Sequence, residues 1–379
     1  MDNNKYNPFS VSAYRGAEYF CDRDEETERI ISNLENGIST TVVSIRRIGK
    51  TGLIHHVLHQ LPTGWQGVYI DILETEDMNQ FLNLLATSLI KTFPEKTSIG
   101  KRFWEFLKSL RPTISYDALT GAPQASFESQ QKEVEINIES IFQYLEKLKY
   151  RIVIAIDEFQ QITSYPEKNV DAWLRTRIQR LKNICFIFSG SQQHLITELF
   201  TSPKRPFFRS TQMLKLEKID KTVYAKFICS LFKRHNKKIA LKTAKNMVDW
   251  ANTHTFYVQL LANRTFSATE AAAGEETWKE QAHLLLKEQE MVFFSQRNML
   301  TKPQWNLLKA LAHEGIAYQP TGKDFLDRYK LGTSATVLRS LSTLLKYELA
   351  YEEYDADGKS YYSVYDVFMQ RWAETSLSI

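Results

Sequence analysis

Two short stretches carry side chains that could act together on a phosphate ester. Residues 44–51 read S-I-R-R-I-G-K-T, and residues 152–158 read I-V-I-A-I-D-E. The first closes like the phosphate-binding pattern G-x-x-x-x-G-K-[ST], with Ser44 where that pattern has glycine. In such a loop, backbone N–H groups and a helix N-terminus cradle phosphate oxygens. Lys50 would then reach the β- and γ-phosphates, and the Thr51 hydroxyl would hold Mg²⁺. Gly49 lets the backbone approach a phosphate closely. Ser44 falls at the strand end, where glycine eases the turn but touches no chemistry. The expected cradle is therefore Ser44, Arg46, Arg47, Ile48, Gly49, Lys50, Thr51 and Gly52. Arg46 and Arg47 either contact phosphate or clamp a neighbouring element. In the second stretch an apolar run ends in two carboxylates. Asp157 is placed to hold the water shell of Mg²⁺, and Glu158 to orient and polarise an attacking water. An apolar strand ending in Asp-Glu is commonplace alone; with G-K-T upstream the pair is specific.

These groups work only if a buried strand runs into the loop and a helix leaves it. Thr40-Thr-Val-Val-Ser44 is a β-branched run suited to a central parallel strand. Leu53, Ile54, Val57, Leu58 and Leu61 then recur at helical spacing. The acidic stretch reads as a second buried strand, its carboxylates at the sheet edge where α/β proteins bind ligands. GVYIDI (67–72), ICFIFSGS (184–191) and MLKL (213–216) complete five strands, one of them inserted between the lysine strand and the acidic strand. The expected fold is α/β, a P-loop ATPase core on a five-stranded parallel sheet. Ser189 or Ser191, ending the strand after the acidic one, either senses the γ-phosphate or belongs to a plain Ser-Gly-Ser turn. Arg205 and Arg209 flank PFF before the last strand. Each is either a source of positive charge for the transition state or a solvated surface arginine.

The combination resembles the AAA-type P-loop ATPases widespread in archaea and bacteria, related to STAND signalling ATPases and origin-recognition initiators. YFCDRDEETERI (19–30) is similar to that family's opening segment, in which an Arg-acidic stretch starts a helix beside the adenine and Arg23 would serve the nucleotide. SIRRIGKT resembles its loop, IAIDEFQQI (154–162) its acidic strand, and FIFSGS (186–191) and RPFFRS (205–210) its following elements. The resemblance covers residues 1–216. It implies ATP or ADP with Mg²⁺ rather than GTP, since no N-K-x-D-like guanine reader is present. It also implies that the arginine before the last strand is presented to a neighbouring subunit. In the STAND-like lid a G-x-P contact reaches the nucleotide; here THTFYVQLL (253–261) has neither Gly nor Pro. Tyr257 and Gln259 are the nearest matching residues, and helix packing explains them equally well.

The expected domains are an ATPase core over 1–216 with an insertion at about 95–135, a helical lid over 217–290 and a winged-helix domain over 291–379. The lid shows helical patterns without strand signals. The insertion contains the densest polar loop, at 120–133, beside RFWEFL (102–107) and RPTISYD (111–117), read as a helix and a strand. The last segment reads helix, helix, helix, hairpin, with Thr321 and Ser334 as expected caps and a turn at Asp357-Gly358. A winged helix points to DNA, but residues 302–379 carry nine Lys/Arg against ten Asp/Glu. That is a poor match to a phosphate backbone, so a protein partner or a homo-oligomer is at least as well supported.

The bulk numbers exclude other classes. Hydrophobic residues make up 43% of 379 and charged residues 24%, ordinary for a globular protein, and the formal net charge is +4. No apolar run approaches the roughly 18–20 residues that span a bilayer. The N-terminal residues show no signal-peptide pattern. The three cysteines, Cys21, Cys185 and Cys229, form no disulfide framework or zinc motif, and the expected location is the cytoplasm. His55, His56 and His59 lack a carboxylate at metal-site spacing and read as helix surface.

Overall fold

The computed structural model describes residues 6–375 except 12, 129 and 356. The chain divides into two units, one over 12–218 and the other joining the segment up to 11 to everything from 219 onward.

In the first unit, helix α1 (Asp24–Glu35) precedes β1 (Thr40–Val43), α2 (Lys50–His59), β2 (Trp65–Asp71), α3 (Met78–Thr92) and α4 (Ser98–Ser109). Then come the hairpin β3 (Thr113–Tyr116) and β4 (Pro123–Ser126), α5 (Gln131–Glu146), β5 (Arg151–Asp157) and α6 (Val170–Ile178). Strand β6 (Ile184–Ser189), α7 (Gln193–Thr201) and β7 (Gln212–Lys215) end the unit. The main sheet has five strands in the order β2-β5-β6-β1-β7, and every neighbouring pair is parallel. The expected α/β fold is thus present. The strand that separates β1 from β5 in the sheet is β6. The strand that separates them in sequence, β2, lies at the edge. Chain order does not report lateral order here, because each crossover helix lets the next strand skip a neighbour.

All four residues of β1 and all six of β6 are buried, as expected for strands covered on both faces. Register then sets the working edge: Asp71 of β2 sits opposite Asp157 of β5, and Ser189 of β6 opposite Val42 of β1. Beneath that edge lies an aromatic cluster. The Phe188 ring is 4.4 Å from Phe159, 5.3 Å from Phe200 and 5.7 Å from Phe207, centre to centre.

The polar loop expected at 120–133 is partly ordered as a strand. Its backbone is fastened to α3, with Ala125 N–H donating to Thr87 Oγ1 (3.0 Å) and Phe127 N–H to Asn83 Oδ1 (2.8 Å). Ala125 and Phe127 are buried, so two apolar residues in a polar run suffice to dock it.

The second unit contains α8 (Lys221–Arg234), β8 (Lys238–Ile239), α9 (Leu241–Trp250), α10 (Thr255–Ala268), β9 (Ala272–Ala273) and α11 (Glu275–Asn298). The segment expected to lack strands therefore includes one short parallel pair, β8 with β9. Helix α11 runs unbroken through residue 290, the boundary expected between lid and winged helix. Then follow α12 (Lys302–Glu314), α13 (Lys323–Tyr329), α14 (Ser334–Lys346), the hairpin β10 (Ala350–Tyr354) and β11 (Ser360–Val364), and α15 (Val367–Thr375). Ala317 bridges to Tyr362 and adds to the hairpin. The caps differ from expectation by one residue each. Thr333, not Ser334, accepts from the Thr336 N–H at the start of α14, while Ser334 Oγ donates to the Thr321 carbonyl. Gly322 occupies the cap of α13. Among the described residues no helix is long and apolar enough to cross a membrane.

Truncating Phe188 to alanine should empty the centre of the aromatic cluster and cost about 3–5 kcal/mol. Urea denaturation checks this; an unchanged midpoint would show that the cluster does not hold the sheet edge together.

Candidate functional site

The two motifs meet at the C-terminal edge of the sheet. Strand β1 delivers Ser44, and the chain turns through Arg47 (φ 63°) and Gly49 (φ 109°) into α2. Both conformations are left-handed; Gly49 adopts its own without a Cβ penalty, and Arg47 carries the strain of one. The turn leaves Lys50 at the start of α2 with only 6% of its surface exposed.

Lys50 has no anion to answer it. Its Nζ lies 3.2 Å from the Ile45 carbonyl and 3.3 Å from both the carbonyl and the hydroxyl of Ser44, and it forms no ion pair among the described residues. Burial pushes its pKa down to about 8, against the pull of Asp157 and Glu158, with Arg46 adding to the drop. A buried cation held only by neutral oxygens is stabilised by any anion brought against it. The residues present therefore fit a phosphate group.

Asp157 is the opposite case, a buried carboxylate with every oxygen answered. Thr51 Oγ1 donates to Oδ2 at 2.7 Å and the Tyr69 hydroxyl to the same atom at 3.1 Å. Ser189 Oγ donates to Oδ1 at 2.5 Å, and the Glu158 N–H at 3.1 Å. Thr51 and Asp157 thus offer two hard oxygens side by side, the donor chemistry that Mg²⁺ selects.

Glu158 takes a left-handed conformation (φ 57°). Its Oε2 accepts three hydrogen bonds, from Gln160 Nε2 (2.6 Å), Ser191 Oγ (2.8 Å) and Ser191 N–H (3.1 Å). Gln160 is buried, and its Oε1 has no partner among the described residues. A Cβ on Gly190 would sit 2.0 Å from that Oε1. Glycine at 190 is what lets the Gln160 side chain lie against Glu158.

The structure brings Ser44, Lys50, Thr51, Asp157, Glu158 and Ser189 together. Several other expected residues are engaged elsewhere. Ser189 is fully buried with its hydroxyl on Asp157, and Ser191 bonds Glu158 instead. Arg23 is buried and gives its guanidinium to Glu26 (2.7 Å) and the Glu217 carbonyl (2.6 Å), tying the start of α1 to the segment after β7. Arg205 is taken up by Glu198 at 3.0 Å, with Asp171 at 3.9 Å. Arg209 is exposed, lies over the Phe208 ring and forms no ion pair among the described residues. Arg47 is exposed, Arg46 half-buried and Ile48 buried. Gly52 faces Phe20, whose ring edge would be 3.3 Å from an added Cβ. Tyr257 belongs to the other unit and packs there against His254 and Phe368. The three histidines meet no metal-ligand cluster among the described residues. His56 bonds the Tyr14 hydroxyl at 2.8 Å and stacks on Phe20, and burial pulls its pKa down.

Sequence reading missed Tyr69, Gln160 and Gly190 as parts of this site. Tyr69 was within reach: it lies two residues before the end of its strand, hence on the same face as Asp71. Only the register beside β5 reveals what it touches. Burial, then Asp157 and Asp71, raise its pKa and keep it a donor.

Residues 20–253 match the family described as an ATPase domain predominantly from Archaea. The chain belongs to this ATPase family. Residues 291–375 match a probable winged helix domain. Among solved structures, a Walker-type ATPase of Pyrococcus abyssi shares the fold with TM-score 0.65 at 17% identity, over 97% of this chain and 99% of that one. The ORC2 protein of Aeropyrum pernix, solved with ADPNP and ADP, matches with TM-score 0.58 at 10% identity, over 98% of each chain. At these identities the likeness is one of fold. No curated protein matches the sequence.

Because Lys50 is a buried cation without an anion, Lys50→Met should raise the melting temperature of the nucleotide-free ATPase at pH 7. The burial penalty it removes is at most roughly 3 kcal/mol. The same variant should lose the stabilisation that millimolar ATP gives the wild type. Differential scanning fluorimetry reads both; a variant that melts lower and still responds to ATP would contradict this account of Lys50.

Proposed function

We propose that this protein hydrolyses ATP in a Mg²⁺-dependent reaction, and that its nucleotide state sets the arrangement of its helical lid and winged helix. One observation carries the reading: the 2.7 Å bond from Thr51 to Asp157 joins the lysine loop to the acidic strand, with buried Lys50 beside it. Lys50 binds the β- and γ-phosphates and neutralises charge on the bond that breaks. Thr51 and Asp157 hold the metal, Asp157 kept in place by Tyr69 and Ser189. A bound Mg²⁺ supplies charge neutralisation on the phosphate oxygens. Glu158 accepts a proton from the attacking water as its oxygen bonds to the γ-phosphorus and the bond to the bridging oxygen breaks. Gln160 and Ser191 fix where that carboxylate sits. The backbone of Ser44 and of residues 46–52 cradles the phosphates.

Arg209 is the better candidate for an arginine finger, since Arg205 is already paired with acidic side chains. Supplied to a neighbouring copy, it would make turnover depend on protein concentration. Three donors already hold one oxygen of Glu158, and an attacking water must compete with them for it, which favours a slow resting rate. The protein then works as a switch that hydrolyses slowly and reports nucleotide state to a protein partner.

Steady-state turnover with ATP and Mg²⁺ should fall at least about 100-fold in Lys50→Ala and in Glu158→Gln. Glu158→Gln should still bind ATP, whereas Lys50→Ala should not. Specific activity that rises with wild-type concentration, and no longer rises in Arg209→Ala, would identify the finger. Wild-type turnover equal to that of both variants would refute the hydrolytic reading.

A further inference from the structure

Between Lys233 and Lys245 the chain carries six Lys/Arg and no Asp or Glu, in a protein whose net charge is only +4. The run covers the last turn of α8, the connection through β8 and the first turns of α9. Lys233, Arg234, Lys238 and Lys242 are exposed, and Lys245 is half-buried. Lys226 is also exposed and lies two turns before Lys233, so both point from one face of α8. Lys242 and Lys245, three residues apart, share a face of α9. The carboxyl of Asp220 is held low first by the Val223 and Thr222 N–H groups and then by Lys245 and Lys226. Lys221 at the start of α8 pairs with Asp249 near the end of α9, so the two helices run antiparallel and side by side.

Local structure does not account for these charges. Lys233 and Arg234 complement the C-terminal end of α8, but Lys242 and Lys245 stand near the N-terminal end of α9, where the helix dipole disfavours cations. Lys237 is used internally, donating to the Phe266 carbonyl at 2.8 Å. The nearby acids are committed: Asp220 caps α8, and Asp249 pairs with Lys221. Among the described residues Lys226, Lys233, Lys238, Lys242 and Lys245 form no ion pair.

We propose that this face of α8 and α9, and not the winged helix, binds the phosphate backbone of double-stranded nucleic acid without reading its sequence. The chemistry of the patch selects that partner. It is lysine-rich, offering point charges rather than the bidentate forks that read guanine edges. It presents no exposed aromatic side chain between 219 and 290 on which an unpaired base could stack. It has no apolar anchor beyond Leu241 and Val223, both only about 40% exposed, whereas stable membrane attachment needs a second, apolar signal beside a basic patch. The winged helix has the opposite balance, with Glu352, Asp355 and Asp357 on its hairpin against Lys359. The inference is independent of the ATP site.

The test is fluorescence anisotropy of a labelled 30-base-pair duplex with the full chain, in EDTA and without nucleotide, between 50 and 200 mM KCl. With about five phosphates neutralised, affinity should fall roughly 500-fold over that range. The K233Q/K238Q/K242Q variant should lose about three units of the log–log salt slope, so that its affinity falls only roughly tenfold. K233R/K238R/K242R should behave as the wild type, and R339Q/K346Q/K359Q, which removes as much charge from the winged helix, should leave the slope unchanged. Matching melting temperatures exclude misfolding. Failure to bind at 50 mM KCl would overturn the proposal. So would equal slopes for the wild type and the glutamine triple variant, tighter binding of a single strand than of the duplex, or tighter adsorption to phosphatidylserine vesicles than to the duplex.

Discussion

Asp157 accepts four hydrogen bonds, and the groups that donate them come from four places in the chain. Thr51 stands on α2, Tyr69 on the edge strand β2, Ser189 on β6, and the last donor is the N–H of Glu158. A buried carboxylate left without such partners would cost several kcal/mol. Folding therefore cannot complete the sheet edge until the lysine loop, both flanking strands and the acidic strand are in register. The pairing of Asp71 with Asp157 and of Val42 with Ser189 is that register expressed in the ladder. The aromatic cluster of Phe159, Phe188, Phe200 and Phe207 lies directly under it and resists the shifts that would break it.

The two charges beside Asp157 are treated in contrasting ways. Lys50 is stripped of water and given only neutral oxygens, so its charge stays unspent until an anion arrives. Glu158 is supplied with three donors on one oxygen, at the cost of an unsatisfied Gln160 Oε1 and a left-handed backbone. Natural structures keep such orphaned polar atoms and positive-φ residues where geometry matters more than local stability. Gly190 belongs to the same arrangement, since any side chain there would displace Gln160.

Much of this was legible from residue types and spacing. A β-branched run before G-K-T and an apolar run ending in Asp-Glu fixed two strands and the loop, because buried parallel strands have a composition that little else shares. The winged-helix order also read directly, since helical spacing and an Asp-Gly turn are local signals. Lateral strand order was not legible: β6, not β2, lies between the motif strands, and nothing in a strand's own residues names its neighbours. The contacts that Arg23, Arg205 and Ser189 make were not legible for the same reason. Arg23 reaches the Glu217 carbonyl and Ser189 reaches Asp157, both distant in sequence, while Arg205 is held mainly by nearby Glu198; a guanidinium or hydroxyl carries no mark of the partner it finds. Strand β4 was missed because its polarity outweighed the two buried residues that dock it.

Within the second unit the winged helix is not a free appendage. Helix α15, which closes it, sends Arg371 to the Trp250 carbonyl (2.8 Å) and to Asn252 Oδ1 (2.7 Å) at the end of α9. Phe368 packs against Trp250 and Tyr257, and Trp372 against Phe293 of α11 and Trp305 of α12. Gln370 joins the Ala312 carbonyl to Asn252. Helix α11 adds a continuous rod through the expected boundary at 290. Rings and hydrogen bonds of this kind have discrete arrangements and do not slide. A change imposed on α9 or α10 must then either carry the winged helix with it or break the Arg371 and Trp372 contacts outright. The helical segment and the winged helix are thus joined by these packed side chains as well as by α11, which passes from one to the other without a break.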